Sequence, residues 1–313
     1  MADRETTTSA ASPLPDADDA AARRRHFGAF YGDTVPPEGF GLVIGNCQAE
    51  SIRVVVDSPR VPTIRVPPVH ELTASDARRL HDLLPSASFL VSQPARDDYH
   101  DLPLGTRQLR ASLRSGVRAL TITPIRFAGL YPFQAAIRLP GIHESLPLVD
   151  YHDVRDLAAA SGLPLADEVP PNVVHAIAND SLGELRSRET KTDVPVSDLF
   201  ESPSFSQMRT VNHPGNAIFL PVGERIIAML GVDAEPIDPG RPLLSAVEAP
   251  REEWVVDAWG SGEAPRSHWT VAGQQMSRDE VREAHLEWYA QHPRYVAAAV
   301  ERLKPLLTQW RLT

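Results

Sequence analysis

Phe40-Gly-Leu-Val-Ile-Gly-Asn-Cys-Gln48 is the stretch that decides the fold. An apolar run rich in branched chains and bounded by glycines reads as a buried strand of a parallel sheet. Ala49 to Asp57 follows with Ile52, Val55 and Val56 as apolar positions and reads as a helix. Cys47, the single cysteine, therefore stands where a strand becomes a helix, beside unpaired backbone N–H groups and the positive end of the helix dipole. That setting lowers a thiol pKa and can hold an oxyanion. The alternative is a buried structural cysteine in a tight turn.

Working outward, the alternation continues. Thr63–Val66, Ser88–Val91 and Arg118–Thr123 read as further strands, with helices from Thr73 or Ser75 to Leu84 and from Gly105 to Arg114 between them. Strands alternating with helices across short loops indicate a doubly wound parallel sheet, whose ligands gather at the carboxyl ends of the strands. Cys47, Gln93 and Pro124 all fall at those ends. Downstream, Val173–Asn179, Ser181–Glu189 and Ala217–Leu230 read as helices. The Pro- and Gly-rich stretch from Asp233 to Gly273 reads as irregular. Ser277 and Glu280 suit a capping box, opening a helix that His292-Pro293 ends before a final one.

Composition narrows the classes. The 313 residues are 42% hydrophobic and 23% charged, ordinary for a globular protein. One cysteine cannot form an internal disulfide, which fits a reducing cytoplasm. A net charge of −10 argues against non-specific nucleic-acid binding. Lysine occurs only at Lys191 and Lys304, so anionic ligands would meet arginine forks. Residues 1–25 read as a disordered tail without a signal-peptide core. No run is long and apolar enough for a membrane span, and scattered histidines show no metal-site spacing. The division expected is a tail at 1–25, an α/β catalytic domain at 26–232 and an irregular plus helical extension at 233–313 packed on it. Oligomeric state stays open.

His213, followed by Pro214 and Gly215 just ahead of a helix, is the candidate base for Cys47. The alternative is a packing or capping histidine. The arrangement resembles the SGNH hydrolases, in which a nucleophilic turn follows the first strand and a His-Pro precedes the last helix. Here the turn is Gly45-Asn46-Cys47. The acid that the superfamily places three residues before the histidine is replaced by Thr210, so the resemblance leaves either another orienting group or a Cys–His dyad. Asp97 and Asp98 could orient His213 or simply solvate their loop.

Several further blocks together resemble the WcbI family of polysaccharide-biosynthesis enzymes: Gly45-Asn-Cys-Gln-Ala-Glu50, Gln93-Pro-Ala-Arg-Asp-Asp-Tyr99, Leu102-Pro-Leu-Gly-Thr106, Pro124-Ile-Arg-Phe-Ala-Gly-Leu-Tyr-Pro132, Leu185-Arg-Ser-Arg-Glu189 and Asn212-His-Pro214. The resemblance runs from about Phe40 to Gly231. It implies an SGNH-like α/β core with a mostly helical C-terminal extension, coenzyme A or acetyl-CoA as acyl donor without a metal, and O-acetyl transfer to a surface sugar. In that reading Cys47 attacks a thioester, His213 moves the protons and Asn46 with backbone N–H groups holds the oxyanion. A direct-transfer variant leaves Cys47 only to shape the site. Gly45, Gln48, Gln93, Tyr99 and Asn212 are candidate binding residues, and Arg96, Arg107 and Arg126 candidates for phosphates. An esterase or thioesterase with the same pair, or a non-catalytic coenzyme A- or glycan-binding module, are the alternatives.

Overall fold

The computed structural model describes residues 17–139, 145–163 and 165–309. Strands β1 (Gly41–Ile44), β2 (Thr63–Ile64), β3 (Phe89–Ser92) and β4 (Arg118–Thr121) form an all-parallel sheet in the order β2-β1-β3-β4. A parallel bridge from Ile122 to Val194 extends its β4 edge. Strand alternation divides the apolar side chains between two faces. Leu42, Ile44 and Leu90 meet Leu80 and Leu83 of α4 (Ala74–Leu83), while Val43 and Val91 share a core with Ile52 and Val55 of α3 (Cys47–Val56). Helices on both faces make every strand residue of β1 and β3 buried.

The crossovers end as their residues dictate. Thr73 and Asp76 cap α4 reciprocally. After the short α5 (Thr106–Ala111) and β4, two local antiparallel pairs stand apart from the main sheet: β5 (Gln134–Ala135) with β6 (His152–Asp153), and β7 (Met208–Thr210) with β8 (His213–Pro214). Val154–Ala160 forms α6. The two helices read within 173–189 are one, α7 (Pro171–Glu189), because Asp180 between them is compatible with helix and Pro171 sits in the first turn. Helix α8 (Asn216–Leu230) lies along α3, buries Ile218, Val222 and Ile226, and ends at Gly231 with φ +72°.

Two expectations change. Residues 1–16 of the expected tail lie outside the described residues, but from Ala17 the chain forms α1 (Ala17–His26), followed by α2 (Gly28–Tyr31). Arg23 bonds Tyr31 and Glu71, contacts distant in sequence that composition does not reveal. Asp233–Gly273, expected to be irregular, holds β9 (Val247–Glu248), α9 (Glu253–Trp259) and β10 (His268–Val271). With β11 (Gln274–Ser277) these strands make an antiparallel sheet. Its hairpin turns at Ala272-Gly273, both at positive φ, the geometry of a two-residue turn with alanine where asparagine is usual.

The capping box of Ser277 and Glu280 starts α10 (Arg278–Gln291), and α11 (Pro293–Gln309) runs on through Pro305. These helices and α6 enclose an apolar cluster including Leu157, Tyr289 and Ala299. His152 is buried there between two tyrosines, 2.7 Å from the Tyr289 hydroxyl and 2.8 Å from that of Tyr295. Tyr295 donates its proton to the Ile137 carbonyl. It must therefore accept from His152 Nε2–H, leaving Nδ1 to accept from Tyr289.

Candidate functional site

The turn after β1 is built from backbone outward. Asn46 caps α3, its Oδ1 accepting the Gln48 N–H at 2.9 Å. The Asn46 N–H donates to Gln93 Oε1 at 2.8 Å. A Cβ on Gly45 would lie 2.4 Å from that same oxygen, so only glycine lets Gln93 close over the turn. On the other side the Val69 N–H donates to the Gly45 carbonyl at 2.8 Å.

Gln48 joins this turn to the rest of the site. It is buried, and its Nε2 donates to the carbonyls of Ile125 and Asn212, each at 2.8 Å. Its Oε1 accepts from the Ile125 N–H at 2.9 Å and from Gln93 Nε2 at 3.3 Å. All four of its hydrogen-bonding positions are occupied by protein. Gln48 and Gln93, expected to meet ligand, instead hold three loops in register. Replacing Gln48 with leucine strands three buried backbone groups at about 1–3 kcal/mol each. The expected loss is at least about 3 kcal/mol in urea unfolding; a loss under about 1 kcal/mol would count against this clamp.

The clamp brings His213 to Cys47. Nε2 of His213 lies 3.8 Å from Cys47 Sγ, across 166 residues of sequence. Burial pushes the Cys47 thiol up; backbone N–H groups of Cys47 and Gln48 and the charge of Arg138 work against that. Burial also pushes His213 down, to about 4. The resting pair is thus neutral thiol beside neutral imidazole. Nδ1 of His213 is buried with no partner among the described residues.

No acid orients that nitrogen among the described residues. Thr210 instead accepts the His213 backbone N–H at 3.1 Å and donates to the Tyr151 hydroxyl at 3.0 Å. Tyr151 in turn donates to Asn212 Oδ1 at 2.7 Å and sets its ring edge-on to His213, 5.8 Å between centroids. Asn212 is engaged through both its carbonyls. Tyr151 carried no sequence signal: it lies in an irregular stretch after Asp150. Asp97 and Asp98, the other candidates for orienting His213, are committed to their own loop. Asp97 pairs with Arg107, while Asp98 exchanges hydrogen bonds with Gln108. Tyr99 packs on the apolar cluster under α4, and Arg96 is exposed. Asp97 and Arg107 are thus spent on each other and Asp98 on Gln108, which closes the loop rather than orienting His213.

Arg126 is placed differently. It follows Ile125, the residue held by Gln48, and has no ion-pair partner among the described residues. The Gln48 N–H is taken by the Asn46 cap. The Cys47 N–H stands in the first turn of α3, where a helix supplies no acceptor of its own. On the far side of Tyr151, which lines it, a partly open cavity of about 50 Å³ is also bordered by Phe133, Asp156, Trp254, Trp269 and His285. Neither Cys47 nor His213 lines it. Among the described residues no three His, Cys, Asp or Glu gather as a metal site, and no helix is long and apolar enough to cross a membrane.

A family model described as polysaccharide biosynthesis enzyme WcbI matches residues 40–235, more than half of the chain. The chain belongs to the WcbI family. The matched WcbI segment opens at β1 and closes just beyond α8, so Cys47, Gln48, Gln93 and His213 all fall inside it. A solved structure of WcbI, described as a novel polysaccharide biosynthesis enzyme, shares the fold with a TM-score of 0.62 at 17% identity. The likeness covers 85% of this chain and 99% of that one. That structure is described as the native protein without a disulfide bond between coenzyme A and one of its cysteines. A search of curated proteins finds no match. As in the WcbI family generally, the work of this chain belongs to polysaccharide biosynthesis.

Proposed function

We propose that this protein is an acyl-CoA-dependent O-acyltransferase, with acetyl as the acyl group and a hydroxyl of a sugar or polysaccharide precursor as acceptor. The observation that carries the reading is the 3.8 Å approach of His213 Nε2 to Cys47 at the head of α3. That pair stands within the family-matched segment, and the WcbI structure is described in terms of coenzyme A and a cysteine. The residues suit such a donor: a thiol and an imidazole at the cleft, and the unpaired Arg126 beside it for phosphate.

The neutral pair defines the steps. As Cys47 Sγ bonds to the acyl carbon, its proton passes to His213 Nε2, and Asn46 Nδ2 with the Cys47 N–H receives the charge on the carbonyl oxygen. His213 then returns the proton to the departing thiolate. In the second half His213 takes the proton of the acceptor hydroxyl as its oxygen displaces Cys47 from the acyl group, and passes it to the Cys47 sulfur. A neutral resting imidazole, free to accept a proton, is what both halves need.

Thermal unfolding with coenzyme A and acetyl-CoA tests the donor. Ligand at a hundred times its dissociation constant adds about 2.7 kcal/mol to stability. A shift in wild type and in Cys47→Ala, with acetyl label on Cys47 of wild type alone, is the expected result. Unchanged melting with both ligands overturns the coenzyme A reading. Turnover of simple activated esters without coenzyme A would move the assignment to hydrolysis.

A further inference from the structure

We infer that the cavity on the far side of Tyr151 binds the hydroxylated edge of a neutral sugar residue of the acceptor, held by Asp156 and Trp269. Its walls come from three parts of the chain. Phe133 and Tyr151 precede β5 and β6, Trp254 and Trp269 belong to α9 and β10, and Val281 comes from α10. Tyr151 links this cavity to the reacting pair. Its ring stands edge-on to His213 at 5.8 Å between centroids and lies nearly parallel to Trp269 at 6.1 Å, with 20° between planes. Cys47 and His213 fall inside the family-matched residues 40–235, whereas Trp254, Trp269 and α10 fall beyond them. The shared chemistry and this wall are thus carried by different parts of the chain.

The polar lining is balanced in charge. Arg155 pairs with Asp153 and Glu252, Arg278 with Asp153, and Arg282 with Asp156. Three carboxylates therefore face three guanidinium groups, which suits a neutral ligand better than a phosphate. Two hydrogen-bonding groups are left over. Arg282 Nε donates to Asp156 Oδ1 at 2.9 Å, but Oδ2 has no partner among the described residues, although Asp156 is only 5% exposed. The indole N–H of Trp254 goes to Glu252 and that of Trp259 to the Gly129 carbonyl. That of Trp269, a residue 7% exposed, has no partner among the described residues either. Burial and the Asp153 charge push the Asp156 carboxyl up against the pull of Arg282, so a hydroxyl donating to it satisfies a desolvated group. An acceptor and a donor beside aromatic faces complement a sugar, whose hydroxyls give and take hydrogen bonds and whose C–H face packs on a ring. The cavity of about 50 Å³ is partly open, so a pair of hydroxyls enters while the rest of the sugar rests outside against the half-buried Trp254.

That the sugar is the acceptor rests on the proposed acyl transfer; that it binds here does not. The full chain, without coenzyme A, would be applied to a microarray of bacterial surface polysaccharides and their oligosaccharides, and the bound glycans titrated by calorimetry. Wild type, Asp156→Asn, Trp269→Phe and the remote control Arg60→Gln would be compared, with melting curves to show that each is folded. The two cavity variants stand on separate elements, so either one carries the test if the other melts early. A neutral glycan bound by wild type should lose about ten- to a hundredfold in affinity with Asp156→Asn and about three- to tenfold with Trp269→Phe, and nothing with Arg60→Gln. Melting shifts of wild type with coenzyme A report the donor separately, so glycan binding lost in the variants supports the cavity even where coenzyme A fails to bind. No glycan bound by wild type, binding confined to anionic glycans, equal affinity in the folded variants, or equal losses in Arg60→Gln overturns the cavity. The acyl-CoA reading then stands if coenzyme A still shifts melting.

Discussion

Replacing His213 with alanine is expected to cut acyl transfer by about 10²–10⁴-fold, the usual worth of a positioned general base. The loss should fall on kcat, because the imidazole acts on protons in flight rather than on bound substrate. Cys47→Ala should be at least as damaging if the acyl group passes through sulfur, whereas transfer straight to the acceptor would survive it. The pH profile adds a sharper test. Burial holds His213 at about 4, so the base is lost only as pH falls through that value. The rate should be flat from about pH 5.5 to 8, without the step near 6.5 that an ordinary histidine gives. Rate measurements across that range on wild type and His213→Gln check this; an inflection near 6.5, or less than tenfold loss on substitution, would remove His213 from the role.

Acid should unfold the protein well before its carboxylates are protonated. His213 is held at about 4 and His152 at about 3, both through burial, with the His285 charge adding at His152. A depressed folded-state pKa means that the unfolded chain binds protons first. The stability these groups contribute is therefore complete above about pH 6.5 and is lost as pH falls toward 4 and 3. At pH 4.5, two units below the unfolded value, each has given up about 2.7 kcal/mol at 1.36 kcal/mol per unit. Together that is about 5 kcal/mol, comparable to the whole stability of many domains. Urea titrations followed by tryptophan fluorescence at pH 7.5, 6 and 4.5 should show the midpoint collapsing. His152→Gln should flatten part of the fall by removing the titrating ring from between Tyr289 and Tyr295. An unchanged midpoint down to pH 4.5 would mean that neither ring is shielded as the packing indicates.

Neither effect is visible in the residue list. His152 looked like one of several scattered histidines, and nothing nearby in sequence announces Tyr289 or Tyr295, more than a hundred residues away. The same holds for Gln48. Its place after Cys47 suggested a ligand contact, because an amide in a functional turn has no other obvious employment. Burial and the two loops that close on it supply that employment. Arg107 and Arg126 were equal candidates for phosphate until Asp97 proved to pair with the first, while no described acid stands within ion-pair distance of the second.

What the sequence determined by itself was local and periodic. Apolar runs, stopped by Gly45 after β1 and by Gln93-Pro94 after β3, marked those strands; the 3.6-residue spacing marked α4 and α8, and the Thr73 and Ser277 caps where two helices begin. Those signals work because they arise from backbone sterics and one-sided burial, which act within a few residues. They also placed Cys47 at the sheet's carboxyl edge and His213 ahead of a helix. Only the tertiary structure decided that the two meet, that both are neutral there, and that Thr210 and Tyr151 rather than an acid stand behind the imidazole. Distance and desolvation depend on which distant segments pack together, and that is a property of the folded chain rather than of any stretch of it.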